Sequence, residues 1–313
     1  MTMNKTLVGI VTFGNLPFTK LAVESVRATA PGVDLCVIVG KPGDTETAQW
    51  LRREMHAPAM GESKLILYEH TQNIGFAASC NDLVEEAFNR SSRNRYEHLI
   101  LMGNDVIAYP NAIRYLVEAA GNGWDWCCSS QYDVASLCRD YAAAREHFGS
   151  EAEKFRTKPG TFAARPWDLH LPAVVAAGHL PLLPGVRCDV QNLCLYTRRA
   201  FEKTGYFDVN FWPNGYFSDN DFCLRGERAG VKACRVQSSA YFHFWSRTIH
   251  EGGGDRPVQF ERNKEYYLAK WGGLPDQEAY KLPFNGVLLD YRPDDFHDGR
   301  VREHSVIEYW RNK

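Results

Sequence analysis

Short continuous apolar runs alternate, over roughly the first hundred residues, with longer stretches whose apolar positions recur at three- and four-residue spacing. Residues 7–13 (LVGIVTF), 34–39 (DLCVIV), 64–68 (KLILY) and 98–102 (HLILM) read as strands buried on both faces, since they are continuously apolar and rich in β-branched residues. Residues 18–29, 45–55, 77–90 and 109–120 read as helices. In 18–29 the residues Leu21, Ala22, Ser25 and Val26 share a face, and in 77–90 Leu83, Val84, Ala87 and Phe88 do. Turn signals separate the two kinds of segment at Gly14-Asn15-Leu16-Pro17, Pro31-Gly32 and Gly40-Lys41-Pro42-Gly43-Asp44. Such alternation predicts βαβ units and a mainly parallel sheet covered on both faces. Ligands bind such sheets at the carboxyl ends of the strands, so a cofactor or donor is expected near the loops at 14–17, 40–44 and 103–105.

Beyond residue 120 the rhythm changes. A strand is expected at 124–130, followed by a long segment, 131–187, with a charged helix-like piece (138–155) and a proline-rich irregular stretch. A segment of that length inside a compact domain suggests a binding lid or an acceptor-facing insertion. Strand character returns at 189–196, a helix at 198–204 ending on Gly205, and a strand at 232–244 carrying His243. The remainder reads as aromatic and turn-rich, with Gly252-Gly253-Gly254 and the run KWGG at 270–273.

Composition narrows the class. At 313 residues, with 44% hydrophobic and 24% charged residues, the chain has the make-up of an ordinary globular protein large enough for a substantial core. Its formal net charge of -2 gives no general reason to expect nucleic-acid binding. The nine cysteines include no C-x-x-C pair, which points to reduced, buried thiols rather than a zinc site or a disulfide framework. The most apolar stretch, 171–183, contains Pro172, His179 and Pro181 and is too short and broken to span a bilayer. No signal-peptide pattern opens the sequence, and a cytoplasmic location is expected.

The run NGYFSDNDFCLRGERAG (214–230) concentrates the chemistry. Asp219 and Asp221 precede a segment able to form a helix, with Cys223, Leu224 and Ala229 on its apolar side and Gly230 as its stop. Carboxylates at a helix start compensate its dipole, which is reason enough for one such pair. The aromatic residues upstream (Phe207, Phe211, Trp212, Tyr216, Phe217) add a second reading, a sugar-binding surface with a base beside it.

Five pieces in order carry a resemblance: NIGFAASCND at 73–82, LILMGNDV at 99–106, GYFDVNFWPNGYFSDNDFCLR at 205–225, SSAYFHF at 238–244 followed by Trp245-Ser246, and FERNKEYYLAKWGG at 260–273. Together they resemble the family-2 glycosyltransferases of the GT-A fold over roughly residues 6–273. The resemblance implies an α/β fold with a Rossmann-like nucleotide-binding half (1–107) and an acceptor-binding half. The catalytic domain would span 1–250, with 131–187 as the acceptor-side insertion and 251–313 as a C-terminal extension packing on it. It implies an inverting transfer from a nucleotide-diphosphate sugar to an acceptor hydroxyl, with Asp219 as general base and Asp221 orienting it or touching the acceptor. Asp105, with His243, would hold a divalent cation, Mn²⁺ or Mg²⁺, on the donor diphosphate. Thr12, Phe13, Gly14, Asp44, Asn73, Gly75, Phe76, Asn81 and Asn104 would contact the donor. Trp212, Tyr216 and Trp245 would contact the acceptor.

The sequence also departs from the family pattern. Gly103 stands where the metal motif usually begins with an acid, Ser218 where a Glu usually precedes the base, and Asp82 where Gly is frequent. In the loop at 40–44 only Asp44 matches. A saccharide is the expected acceptor. The alternatives are a hydroxylated base in DNA, with Lys154, Arg156, Lys158 and Arg165 tracking phosphates, and a catalytically silent carbohydrate-binding relative.

Overall fold

The computed structural model describes residues 3–56, 63–90, 96–132, 179–181, 192–243 and 256–286. Its first half is built from β1 (Thr6–Thr12), α1 (Leu16–Thr29), β2 (Asp34–Val39), α2 (Thr45–His56), β3 (Leu65–Glu69), α3 (Phe76–Glu85) and β4 (His98–Gly103). A π-helical turn, Glu86–Arg90, prolongs α3. The chain goes on through β5 (Val106–Ala108), α4 (Ala112–Gly121), β6 (Trp126–Tyr132), β7 (His179–Pro181), β8 (Leu193–Thr197) and α5 (Arg198–Thr204). The last described elements are α6 (Ser218–Arg228), β9 (Ala233–His243), α7 (Arg256–Trp271) and a short 3₁₀ turn, Pro283–Gly286.

The described strands form one sheet in the order β3-β2-β1-β4-β8-β6-β9-β5, with β7 paired to β9. From β3 to β4 every pairing is parallel, as the apolar runs predict. The sheet then turns mixed: β8 lies antiparallel between β4 and β6, while β6 and β9 run parallel. Alternate residues of the central strands feed opposite layers. Val8, Val37 and Ile100 pack with α1, α2 and α4 on one face, whereas Leu7, Cys36 and Leu99 pack with α3, α5 and α6 on the other. On the second face Phe207 stacks on Phe222 with ring centroids 4.3 Å apart.

Two features of the second half place the site. The β6–β9 register shifts between Ser129, opposite Val236, and Ser130, opposite Ala240. Ser239, in the bulge, bonds Ser129 Oγ (2.6 Å) and the Ala112 carbonyl (2.9 Å). Beyond the bulge β9 also pairs with β5, which sets His243 opposite Val106 and so beside Asp105.

The second feature is α7, a helix in a segment read from sequence as turns. Its buried positions are Asn263, Tyr266, Tyr267, Lys270 and Trp271, a helical stripe. With Phe211, Leu224 and Phe284 its aromatic members form a separate core cluster against α6.

The seven described cysteines are all free and buried, as expected. Among the described residues no helix is long and apolar enough to cross a membrane. Of the insertion expected at 131–187, only 131–132 and 179–181 are described. The helix-like piece 138–155, the basic residues from Lys154 to Arg165, Trp167 and Trp245 lie outside the described residues.

Candidate functional site

The carboxyl edge of the parallel strands is held together by a chain of short contacts. Thr12, at the end of β1, is buried; its hydroxyl bonds the Gly14 carbonyl (2.9 Å) and lies 2.8 Å from Thr19 Oγ1. Asn104, after β4, reaches the same two threonines at 3.4 and 3.5 Å. Thr12 and Asn104, both expected to touch a donor, are thus bonded to each other beneath the β1–α1 turn, while Phe13 and Gly14 stay half-buried at the loop itself. The next loop joins through the Gly40 amide, which donates to the Thr12 carbonyl (2.8 Å).

Asp44 begins α2. Its Oδ1 accepts the Thr47 amide (3.2 Å), the bond of an N-cap, while Oδ2 is buried without a hydrogen-bond partner. The Lys41 side chain lies along Gly14, with Nζ 3.7 Å from the point a Cβ there would occupy. The sequence resemblance in the loop 40–44 rests on Asp44 alone and carries no signal for the placement of Lys41 against Gly14.

The loop after β3 explains its own sequence. Asn73 Oδ1 accepts the Gly75 amide (2.9 Å), and Gly75 opens α3 with φ +86°. A Cβ on Gly75 would stand 2.5 Å from Trp212 Cδ1, so only glycine allows the loop and the aromatic segment to meet. The Phe76 amide donates to the Pro213 carbonyl (2.8 Å). A Cβ on Gly215 would sit 2.9 Å from the Phe76 ring. Asn81 is turned inward, its amide paired with both backbone groups of Phe207 (2.8 and 2.9 Å). Asp82, the departure from the family pattern, bonds His70 at 3.2 Å at the end of β3. That pair was invisible in sequence because its members belong to a strand end and a helix.

The aromatic segment leads into α6. Phe207 and Phe211 are core residues, whereas Trp212, Tyr216 and Phe217 are half-buried. Phe260 of α7 packs on Tyr216 and Phe217 with centroids 5.4 and 5.2 Å away, and Arg262 lies over Trp212 at 5.8 Å. Helix α6 starts at Ser218, so both aspartates fall inside its first turn rather than before it. Their surroundings differ sharply. Asp219 is half-buried, with Oδ1 accepting the Asn220 amide (2.9 Å). Asp221 has no exposed surface, and both its oxygens are engaged, by Lys270 and Trp271 on one side and Arg225 on the other.

At the far end of the edge, Asp105 and His243 come together, Oδ1 to Nε2 at 3.4 Å, each exposing only 10% of its side chain. The Gln131 amide oxygen accepts the Tyr241 hydroxyl (3.1 Å) and lies 3.3 Å from His243 Nδ1. With Nδ1–H donated to that oxygen, Nε2 faces the carboxylate and can share a proton or a cation with it. A carboxylate and an imidazole oriented by an outer partner are a suitable donor set for a divalent ion, and the imidazole favours Mn²⁺ over Mg²⁺.

A Cβ at Gly103 would lie 3.2 Å from Asp105 Oδ1 and 3.5 Å from Asn192 Oδ1. Val106 Cγ2 would be nearer still, at 3.1 Å, so a side chain at 103 would crowd Asp105, and the Asn192 amide oxygen flanks the same spot. Among the described residues no group of three His, Cys, Asp or Glu side chains gathers as a metal site. The pair would therefore leave coordination positions to other oxygens.

By sequence, the chain matches no protein-family model and no curated protein. By structure it resembles GalNAc-T7 with UDP, GalNAc and Mn²⁺, at TM-score 0.54 and 12% identity, covering 85% of this chain and 50% of that one. It also aligns with the mannosyltransferase PcManGT from Pyrobaculum calidifontis in complex with GDP-Man and Mn²⁺, at TM-score 0.48 and 13% identity, over 85% of this chain and 70% of that one. The architecture is the GT-A fold, a mixed α/β fold with a mostly parallel sheet.

Proposed function

We propose that the protein is a metal-dependent, inverting glycosyltransferase that moves a sugar from a nucleotide-diphosphate donor to a hydroxyl of a saccharide. The observation that carries this reading is the Asp105–His243 pair at the carboxyl edge of a GT-A sheet. Both solved relatives described above were captured with Mn²⁺ and with a nucleotide or nucleotide sugar. Asp105 and His243 would hold the divalent cation, with the Asn192 amide oxygen beside them. When bound, such a cation supplies Lewis-acid stabilisation to a departing nucleoside diphosphate.

The chain's own groups do the rest. Phe13, Gly14 and the loop at 40–44 line the edge where the nucleotide lies. The Lys41 ammonium adds positive charge there, and the unpartnered Asp44 Oδ2 can accept from a ribose hydroxyl or a base N–H. The 73–76 loop, fixed by its contacts to Trp212 and Pro213, brings the donor side against the aromatic segment. Trp212 and Tyr216 offer flat faces on which a sugar ring stacks.

Asp219 takes the proton from the attacking hydroxyl, and attack from the side opposite the leaving group inverts the anomeric centre. Asp221, enclosed in its ion network, holds the helix rather than the substrate.

The test is release of nucleoside diphosphate from a panel of sugar donors with Mn²⁺ and saccharide acceptors, wild type against Asp219→Asn. A base of this kind contributes about 10²- to 10⁴-fold in rate. A loss in that range, with an inverted product by NMR, supports the reading. Equal rates for the two proteins, or a retained configuration, would refute it.

A further inference from the structure

We infer that Lys270, at the end of α7, is a positioning residue for Asp219: through Asp221 it fixes where the first turn of α6 stands. The inference rests on the reading of Asp219 as the base. Lys270 has no exposed side-chain surface, and its Nζ lies 2.6 Å from Asp221 Oδ1 and 2.7 Å from Asp208 Oδ2. One buried ammonium thus ties two carboxylates from different segments, the aromatic loop and the helix that follows it. The Trp271 indole N–H donates to Asp221 Oδ1 (2.9 Å), and Arg225 Nε to Oδ2 (2.9 Å). Arg225 also donates to the carbonyls of Thr204 and Tyr206, which anchors the network to the end of α5. Asp208 is completed by the Tyr266 hydroxyl (2.7 Å) and the Asn210 side-chain amide (2.8 Å).

Two carboxylates, one ammonium and one guanidinium balance, so the quartet can remain ionised in the interior. A neutral apolar residue at 270 could fill the space. Buried ion clusters often add little net stability over such packing. Charged hydrogen bonds differ from apolar contact in fixing direction and distance. Asp219 is two residues from Asp221 on the same helical turn. Any shift of Asp221 therefore moves Asp219, and a misplacement of about 1 Å can cost roughly 10²-fold in rate. In this arrangement α7 is part of the catalytic apparatus although it need not touch the reacting atoms.

The decisive variant is the double Asp208→Asn/Lys270→Met, which removes one charge of each sign and leaves Asp221 paired with Arg225. The expected result is a cooperatively folded protein whose kcat falls about tenfold or more while the donor KM stays within about twofold. Partial loss of fold would mimic that split, because unfolded molecules lower the apparent kcat at unchanged KM, so kcat is taken per folded molecule. Folded protein is therefore counted by its unfolding transition at the assay temperature. Wild-type kcat in the folded double variant overturns the inference.

Should the double variant not fold, Trp271→Phe decides. It deletes the indole donor to Asp221 while keeping an aromatic ring under Arg228, and is expected to lower kcat severalfold at constant donor KM; an unchanged kcat overturns the inference there too. Asp219→Asn serves as the control. If it transfers sugar at the wild-type rate, the base assignment itself fails. If it is inactive while the network variants keep full kcat, only the role of Lys270 fails.

Discussion

Replacing Gly75 by alanine tests the junction on which the whole site depends. Two costs add at this position. Its backbone, at φ +86° and ψ 163°, lies in a region that L-residues avoid at a cost of about 1–3 kcal/mol. The new methyl would also stand 2.5 Å from Trp212 Cδ1 and 3.3 Å from the Pro213 carbonyl, where overpacking costs typically about 1–3 kcal/mol more. The sum, about 2–6 kcal/mol, is a large share of the stability of an ordinary domain. Urea unfolding measures it directly.

The companion variant Trp212→Ala separates the two costs. In the Gly75→Ala/Trp212→Ala background the steric part should vanish and only the backbone part should persist, a coupling of about 1–3 kcal/mol in the double-mutant cycle. Donor KM should rise in Gly75→Ala as the 73–76 loop is pushed off the aromatic segment. A destabilisation below about 0.5 kcal/mol with additive single effects would show that the loop and the aromatic segment do not meet as described.

Other outcomes follow from the buried polar groups. Burial alone would push the Asp208 carboxyl up, but the Lys270 charge and the hydrogen bonds from Lys270, Asn210 and Tyr266 outweigh it and hold its pKa below the usual carboxylate value. Its stabilisation is therefore complete above about pH 4 and is lost as pH falls through the lower folded value; Asp208→Asn should flatten the urea midpoint against pH in that acid range, and an unchanged slope would count against the network. Burial likewise depresses His98, against a smaller opposing effect of Glu97. Stability should accordingly begin to fall below about pH 6.5, and His98→Gln should remove that part of the slope. Burial also raises the Cys80 thiol, and all seven described cysteines are enclosed, so thiol reagents should label them only after unfolding; rapid labelling of native protein at those positions would contradict this.

How much of this was legible in the sequence depends on what each residue answers to. The four parallel strands and the first helices were readable because their buried faces are apolar and period alone reveals them. Helix α7 was not. Its buried stripe includes Asn263 and Lys270, which no hydrophobic count would place in a core, and the partners that make Lys270 tolerable lie some fifty or more residues earlier, at Asp208 and Asp221.

The candidate site divides in the same way. The proximity of Asp105 and His243 could be expected from motif order, but the Gln131 contact and the nearby Asn192 arise from strand pairing across long sequence distances. Asn73, Asn81 and Asn104 sit in motif positions, and their described hydrogen bonds hold backbone and neighbouring hydroxyls. A motif shows that a residue type is needed at a place and leaves open whether it serves the ligand or the loop that receives it. The same ambiguity attends Asp219 and Asp221, identical in type and two residues apart. Only burial tells the half-exposed carboxylate from the one locked among cations.

Mn²⁺ titration followed by electron paramagnetic resonance, with and without a nucleoside diphosphate, tests the Asp105–His243 pair most directly. Wild-type protein is expected to take up Mn²⁺ more tightly when the nucleotide is present, and the Asp105→Ala/His243→Ala variant to lose at least about 10- to 100-fold in affinity while remaining folded. Equal Mn²⁺ affinity in the two proteins would contradict a cation site at the edge of this sheet.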